Sequence, residues 1–381
     1  INLFAGVGAT MTDGVVDTTA ATGFNVTGGN LTLGMISEQG STRSWLGVAA
    51  SVTSITPVGL PDAFDIKLSG LKLEYNGAAA ADDSRLNWSG IATFAGTALA
   101  PVDFNRLLLV EGNLTLDLGG FVLVAAKFTL SKSVVSSIAV SAADTLVNAQ
   151  LLVVKLTDAE LFVGAGASFD AARKIVSTNA VGFYLGSTSL TLASLRADPA
   201  TGETRGWTGL RATVGTAELA KVPGLGFSVT NAEFFYNAAA GTSASAAAAE
   251  RIDWAGVLPN SDASLDLLTK NRVFVLRGQV AVDLFGFVTG NVDFAMSQSI
   301  VDVSFDGTTE ALADASLTQI ALSNGNLTVG AGGVGVQLTS VELALALLTA
   351  DRVTAPTDLR SWMGVRAGVL SASLTGIPNF Q

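Results

Sequence analysis

The residues best suited to chemistry in this chain belong to a motif that occurs three times, Arg-x-Trp-x-Gly. A tryptophan ring can stack on a sugar while the arginine donates hydrogen bonds to its hydroxyls, which would make each motif a glycan-binding site. The same residues can instead fill a hydrophobic corner, with the arginine over the ring in a cation–π contact, and periodic aromatic motifs pack many repeat proteins. We expect the packing role, with each tryptophan mostly buried and Trp207→Ala costing about 3–5 kcal/mol. The three tryptophans are Trp45, Trp207 and Trp362.

Acidic pairs are the next candidates, because carboxylate oxygens are the ligands that Ca²⁺ prefers. The best local pairs are Asp82 with Asp83, and Asp302 with Asp306, which precedes Gly307. Neither pair has the spacing of a calcium-binding loop. We therefore expect solvated loop carboxylates, with no metal site and no cofactor.

Catalysis by side chains finds little support in the composition. The chain has no Cys and no His, which removes thiolate chemistry, the commonest general base and the commonest transition-metal ligand. Paired carboxylates could cleave glycosides, yet Glu111 aligns with Arg277 and Glu74 with Phe235 when the chain is compared with itself. The sequence predicts no catalytic residue and no enzymatic activity.

Charge and hydropathy limit the partners. The net charge of −11 and the pI near 4.5 disfavour binding to nucleic acid and to anionic lipid surfaces. Charged residues make up only 14% of the chain and the mean hydropathy is +0.48, which is high for a protein in water. No apolar run reaches the roughly 18 residues of a transmembrane helix; the best, residues 341–350, contains Glu342. We predict no transmembrane helix and a surface built from Ser, Thr, Gly, Ala and Asn.

Internal repetition is the strongest signal in the sequence. The Arg-x-Trp-x-Gly motif recurs at intervals of roughly 160 residues, and other blocks follow it in the same order. They include Leu-Phe-x-Gly-x-Gly-Ala, Tyr-Asn, x-Asn-Arg and Asp-Leu-x-Gly-Phe-Val. The predicted division is repeat 1 over 1–160, repeat 2 over 161–326 and a partial repeat 3 over 327–381. Because both termini fall within motifs, we expect the chain to be part of a longer array.

Apolar and polar residues alternate over long stretches, which predicts strands. Over residues 107–132 the even positions are apolar, and the phase survives Gly119 and Gly120. This indicates one long strand bent at glycine, or a hairpin with an odd-numbered loop. A phase slip at Ser69 and Gly70 predicts a bulge or tight turn. A short helix is expected at residues 261–270, and a helical turn or a loose loop at the Ala-rich residues 244–251.

The predicted fold class is therefore all-β. We expect long, mostly antiparallel strands in twisted or curled sheets, with repeats joined in an elongated array. The even-numbered apolar stripe raises a rival possibility, a lipid-holding trough. Apolar residues on the other face, such as Leu109, Phe121 and Leu123, favour a dry protein core around the stripe instead.

The block Leu161–Ala167, the Trp-x-Gly block and the Gly-Phe-Val block together resemble tandem repeats of very large bacterial surface or secreted proteins, some described as adhesins or hemolysin-type calcium-binding proteins. The resemblance covers nearly the whole chain and brings no catalytic residues. It implies a bacterial cell-surface or extracellular location and a stalk, matrix or adhesive-spacer role. The expected partners are neighbouring repeats or copies of the same chain, with a glycan or cell surface as the alternative.

Overall fold

The computed structural model describes residues 3–59, 61, 64–79, 85–141, 144–259, 262–305, 311–352 and 355–377. About 69% of the chain is in strands, which confirms the all-β class. Three short 3-10 helices, Trp88–Gly90, Ala92–Phe94 and Pro199–Thr201, are the only helices in the described residues. The twenty strands are β1 (Leu3–Val7), β2 (Thr10–Thr12), β3 (Val15–Asp17), β4 (Thr22–Thr27), β5 (Asn30–Ser37), β6 (Ser44–Val58), β7 (Phe64–Ala78), β8 (Arg106–Leu118), β9 (Val122–Ser141), β10 (Asp144–Ala165), β11 (Ser168–Phe169), β12 (Ile175–Val176), β13 (Val181–Arg196), β14 (Gly206–Ala220), β15 (Leu225–Ala240), β16 (Arg272–Leu284), β17 (Val288–Ser304), β18 (Ala311–Ala331), β19 (Val334–Thr349) and β20 (Ser361–Thr375).

The short helix predicted for residues 261–270 is absent from its described part, and residues 244–251 form the loose loop that was the alternative to a helical turn. Residues 262–270 form turns, and residues 244–251 form a turn and an isolated bridge between Thr242 and Ala248. Ser261 lies outside the described residues. Within the described part of the chain, no helix has the length and apolar character needed to cross a membrane.

Two compact units make up the chain. The first comprises residues 1–178, 189–206 and 241–248, and the second comprises residues 179–188, 207–240 and 249–381. The predicted repeat boundaries at residues 160 and 326 are not boundaries between these units. β10, which ends at Ala165, runs across the first boundary, and β18, which ends at Ala331, runs across the second.

In both units the strands pair antiparallel and follow one another in sequence order. The order in the first unit is β1-β4-β6-β7-β8-β9-β10, and β5 also pairs with β6. The order in the second unit is β14-β15-β16-β17-β18-β19-β20. β10 has 22 residues and β18 has 21, far above the usual strand length of about 3–10 residues. The prediction of long antiparallel strands is confirmed.

Two hairpins have the odd-numbered loop that the uninterrupted alternation predicted. β8 ends at Leu118, which pairs with Val122, so the loop is Gly119, Gly120 and Phe121. Both glycines have positive φ, 61° and 68°, a conformation that costs glycine little. The bent-strand alternative is therefore wrong at this position. In the second unit Leu284 pairs with Val288 across a loop of the same length.

An aspartate closes each of these loops. The Asp117 carboxylate accepts a hydrogen bond of 2.7 Å from the Gly120 N–H, and the Asp283 carboxylate accepts one of 2.8 Å from the Gly286 N–H. A side-chain acceptor for a loop amide is a common role of aspartate in turns. This explains why an acid recurs here without any catalytic need.

Bulges interrupt the long strands where the sequence phase slips. The register shifts between Ser69 and Lys72, where Gly70 has φ of 58°, which confirms the predicted bulge. A matching shift follows Thr230, where Asn231 has φ of 51°. Asn and Asp tolerate this left-handed conformation better than other non-glycine residues. Each bulge inserts one extra residue, so the apolar residues before and after it point to the same face of the sheet.

The buried core lies on the face opposite the even-numbered stripe. Leu109 and Leu123 are buried, and Leu123 pairs with the fully buried Phe162. The stripe residues Leu116 and Val124, in contrast, are partly exposed. The expectation of a dry core around the stripe is therefore wrong. The segments inserted between strands fold over the other face and cover that one instead.

We expect Asp283→Ala to lower the free energy of unfolding by about 1–2 kcal/mol, because the Gly286 amide loses a charged acceptor. Urea unfolding measures the change. Glu342→Ala, which removes an exposed acid from β19 in the same unit, is the control and should stay within about 0.5 kcal/mol of the parent. Equal effects of the two substitutions would contradict the capping role.

Candidate functional site: the tryptophan boxes

A buried tryptophan held by an asparagine forms the centre of the first unit. Trp88 Nε1 donates a 3.0 Å hydrogen bond to Asn76 Oδ1. The Asn76 amide nitrogen donates in turn to the carbonyl oxygens of Leu86 and Asp103, at 2.8 and 2.7 Å. One asparagine on β7 thereby fixes both ends of the segment that follows it, and we call this arrangement the first tryptophan box.

The floor of the first box consists of glycines. Gly34 on β5 lies opposite Gly47 on β6, and a Cβ at either position would lie 2.5 Å from the Trp88 ring. The indole therefore rests directly on the backbone of the sheet. Trp88 is completely buried, and Phe94 meets its ring edge-on with centroids 5.0 Å apart. Leu99 and Val102 complete the cluster.

The second unit contains the same arrangement with different residues. Trp254 Nε1 donates to Asn237 Oδ1 at 3.0 Å. The Asn237 amide nitrogen donates to the carbonyl oxygens of Ile252 and Thr269, both at 3.0 Å. A Cβ on Gly209 would lie 2.6 Å from the Trp254 ring. This second tryptophan box is also dry, since Trp254 is completely buried.

The tryptophans of the Arg-x-Trp-x-Gly motifs stand beside these boxes. Trp45 is 8% exposed and Trp207 is 2% exposed, which confirms the packing prediction for both. Arg43 lies over the Trp45 ring, 5.0 Å from its centroid, and Trp207 Nε1 donates to the Glu250 carbonyl oxygen at 2.6 Å. The motif glycine two residues later supplies the floor on which the box tryptophan rests.

The third motif differs from the other two. Trp362 is 38% exposed, so the prediction of a buried ring is wrong here. Its nearest aromatic neighbour is Phe305, with ring centroids 5.2 Å apart. On β20, Gly364 lies opposite Ala346 of β19 in the register that Gly47 and Gly34 have in the first unit. A Cβ on Gly364 would meet nothing within 4 Å.

An open groove of about 490 Å³ lies over Gly364 and Ala346. Its lining comes from β17, β18, β19 and β20. Small residues predominate, and the side chains of Gln319 and Arg366 add polarity. The lining residues on the groove floor are Ala295, Ser297, Ala321, Ala344, Ala346 and Gly364.

Acidic side chains on the strands that carry the box asparagines are paired with cationic side chains. In the first unit Glu74 is completely buried, with Lys72 Nζ at 2.7 Å and an ion pair to Arg106. In the second unit Glu233 binds Arg211 at 2.7 Å and Arg277 at 2.5 Å. Burial raises the pKa of the Glu233 carboxyl, but the hydrogen bonds and charges of the two arginines outweigh it and leave that pKa below its usual value. Each of these two glutamates is therefore neutralised by two cationic side chains.

The described residues contain no group of three acidic side chains that could hold a metal ion. Asp302 accepts a 3.0 Å hydrogen bond from the Asp314 N–H, which is a structural role. Asp82, Asp83 and Asp306 lie outside the described residues. Within the described part, the candidate site is therefore a set of binding surfaces for apolar and indole groups.

No family model, characterised protein or solved structure matches the chain. The boxes themselves carry the functional argument. The two asparagines belong to the repeated Tyr-Asn block of the sequence, but they were not connected with Trp88 and Trp254 from the sequence alone. The signal was present, because a buried indole N–H needs an acceptor and Asn is the polar residue that recurs on the preceding strand.

We expect Gly209→Ala to cost about 1–3 kcal/mol, because the added methyl overpacks the site beneath Trp254. Thermal or urea unfolding measures it. Gly364→Ala is the matched control, since it makes the same change in the same motif over open space, and it should be neutral or slightly stabilising. A large loss from Gly364→Ala would contradict the difference between the filled and open sites.

Trp207→Ala should cost about 3–5 kcal/mol, because it leaves a large cavity and removes the hydrogen bond to Glu250. Trp362→Ala should cost less than about 1 kcal/mol, because that ring already contacts solvent. Unfolding followed by circular dichroism compares the two without relying on tryptophan fluorescence. Similar losses would show that the two motifs are packed alike.

Proposed function

We propose that the chain is a structural repeat module of a giant bacterial cell-surface or extracellular protein or filament, which builds length as a stalk, matrix or adhesin spacer. The observation that carries the proposal is the tryptophan box, which occurs twice with an indole N–H donating to an asparagine and a glycine directly beneath the ring. An arrangement this specific, present in both units, suits a module that folds stably and joins its neighbours.

The proposal includes the repeat of roughly 160 residues. Several independent features support it at matching sequence positions. The three-residue hairpin loops closed by Asp117 and Asp283 match, as do the bulges at Gly70 and Asn231. Local structures of this kind depend on a few residues each, so their joint recurrence is hard to explain without a common repeat.

The burial and contacts of the motif side chains favour packing over glycan binding. A sugar-binding tryptophan must present its face to solvent, whereas Trp45 and Trp207 are buried. Arg43 is occupied by the ring of Trp45. Expected partners are therefore neighbouring repeats of the same protein, and the acidic balance favours solubility of an apolar β-protein.

Electron microscopy of a protein with several consecutive copies tests the proposal. We expect an elongated particle with a fixed distance from copy to copy. Trp88→Ala combined with Trp254→Ala should abolish this regular spacing. Phe121→Ala combined with Phe285→Ala, the matched control that truncates two exposed loop aromatics, should keep it. Unconnected globules in the parent protein would refute the structural role.

A second candidate function, a surface that holds lipid acyl chains, is favoured by one observation. A row of partly exposed apolar side chains crosses the strands of the second unit, and each member lies directly opposite the next. The row is Phe234, Leu276, Met296, Ile320, Leu345 and Val365. Partly exposed apolar rows of this length are unusual on proteins that have no apolar partner.

Native mass spectrometry and lipid extraction of the purified protein separate the two candidates. Several lipid molecules per repeat, lost on Ile320→Asp but kept on Gln319→Asp, would establish the lipid-holding function. Gln319 is the suitable control because it precedes Ile320 on β18 and faces the opposite side of the sheet. Protein free of lipid would leave the structural module as the function.

A further inference from the structure

Gly364 and Ala346 form a box floor on which no tryptophan rests within the described residues. Gly364 on β20 and Ala346 on β19 occupy the register of Gly47 and Gly34, where the Trp88 ring lies on the first box floor. The groove above them, about 490 Å³, has room for an indole and its neighbours. The motif tryptophan at this place, Trp362, is 38% exposed.

The strand that bears this floor is also open along its edge. β20 pairs with β19 on one side, and no described strand pairs with its other side. Fourteen of its fifteen residues are exposed, including Met363 at 71%, Val365 at 61% and Leu370 at 80%. A long apolar edge of this kind readily accepts another strand.

Arg366, a charged side chain in the groove, indicates that the incoming strand carries a carboxylate and an aromatic ring, as β15 does. Arg366 follows Gly364 by two residues, as Arg211 follows Gly209. Arg211 binds the Glu233 carboxylate and lies over the Phe235 ring, 5.4 Å from its centroid. Both partners belong to β15, the strand that carries Asn237. Arg366 is exposed and has no ion pair in the described part of the chain.

We propose that the β20 edge and its groove form a docking socket for a β-segment of a neighbouring repeat, of the same kind as residues 225–272. Such a segment consists of a strand with an inward asparagine, followed by a loop that bears a tryptophan. The strand pairs along β20, its asparagine lies opposite Gly364, and its tryptophan covers Gly364 and Ala346. This inference rests on the proposed structural function and names the contact by which repeats join.

The geometry of the filled boxes supports this occupant over a sugar or a lipid. In the first unit Asn76 lies opposite Gly47 and Ala78 lies opposite Trp45, so the strand and its tryptophan arrive together. β7 and β15 have 15 and 16 residues, which match the 15 residues of β20. A sugar or an acyl chain would use the groove but would leave the backbone N–H and C=O groups of the edge unpaired.

The test titrates the full chain with a synthetic peptide of residues 225–272 that carries a fluorescent label, followed by anisotropy and by amide hydrogen exchange. We expect saturable binding and slowed exchange along β20. The Trp254→Ala peptide should bind at least about tenfold more weakly, as expected for the loss of a buried aromatic anchor. In the full chain, Gly364→Trp should weaken binding by a similar factor because the new ring fills the groove.

Met363→Trp is the matched control, since it adds the same ring at the adjacent, exposed position on the opposite face of β20 and should leave affinity within about twofold. Binding that is indifferent to both Trp254 and Gly364, slowed exchange elsewhere than β20, or self-association of the chain through β20 would each overturn the socket. If the peptide fails to bind but the multi-copy protein is still elongated with regular spacing, the socket alone is refuted. If the peptide binds as expected but the copies form unconnected globules, the proposed function is refuted.

Discussion

The indole–asparagine hydrogen bond is the interaction on which the tryptophan box of each unit depends. A tryptophan brings a large apolar area but also an N–H that needs an acceptor when it is buried. Asn76 and Asn237 supply that acceptor from a strand. Their amide groups then hold the loop backbone on both sides of the tryptophan, so one residue orders the whole covering segment.

The small residues beneath each ring follow from the same constraint. An indole can reach full burial on a sheet only if it approaches the backbone closely, and any side chain below it would hold it away. Gly47 and Gly209 permit this approach, since a Cβ would lie within 2.6 Å of the ring in each case. The glycine in Arg-x-Trp-x-Gly is thus part of the packing surface, and in the first motif Arg43 lies over the Trp45 ring.

Much of the fold could be predicted from the sequence because alternation with period 2 reports strand faces directly. The parity of the alternation even gave the odd length of the loop after Leu118, and the phase slip located the bulge at Gly70. Parity does not tell which face is covered. That depends on where inserted segments fold back, and neither residues 85–105 nor residues 249–271 have a regular periodicity. The helix expected at residues 261–270 is absent for a related reason. Its described residues are held by tertiary contacts, such as the backbone N–H of Trp254 donating to the Leu268 carbonyl oxygen, and the segment is too short for a stable helix.

The candidate site was only half predictable, and Trp362 shows why. The sequence gives the same motif three times, yet burial of its tryptophan depends on residues that come later in the chain: a strand with its asparagine and then the covering loop. Trp45 has both, through Asn76 and Trp88, whereas nothing in the described residues supplies them to Trp362. Each box is therefore completed only when the strand after the motif has paired, which couples burial of one tryptophan to the arrival of the next segment. An arrangement of this kind makes the open edge of a sheet selective, because backbone pairing alone leaves the groove over Gly364 empty, and only a strand that also carries the tryptophan can fill it.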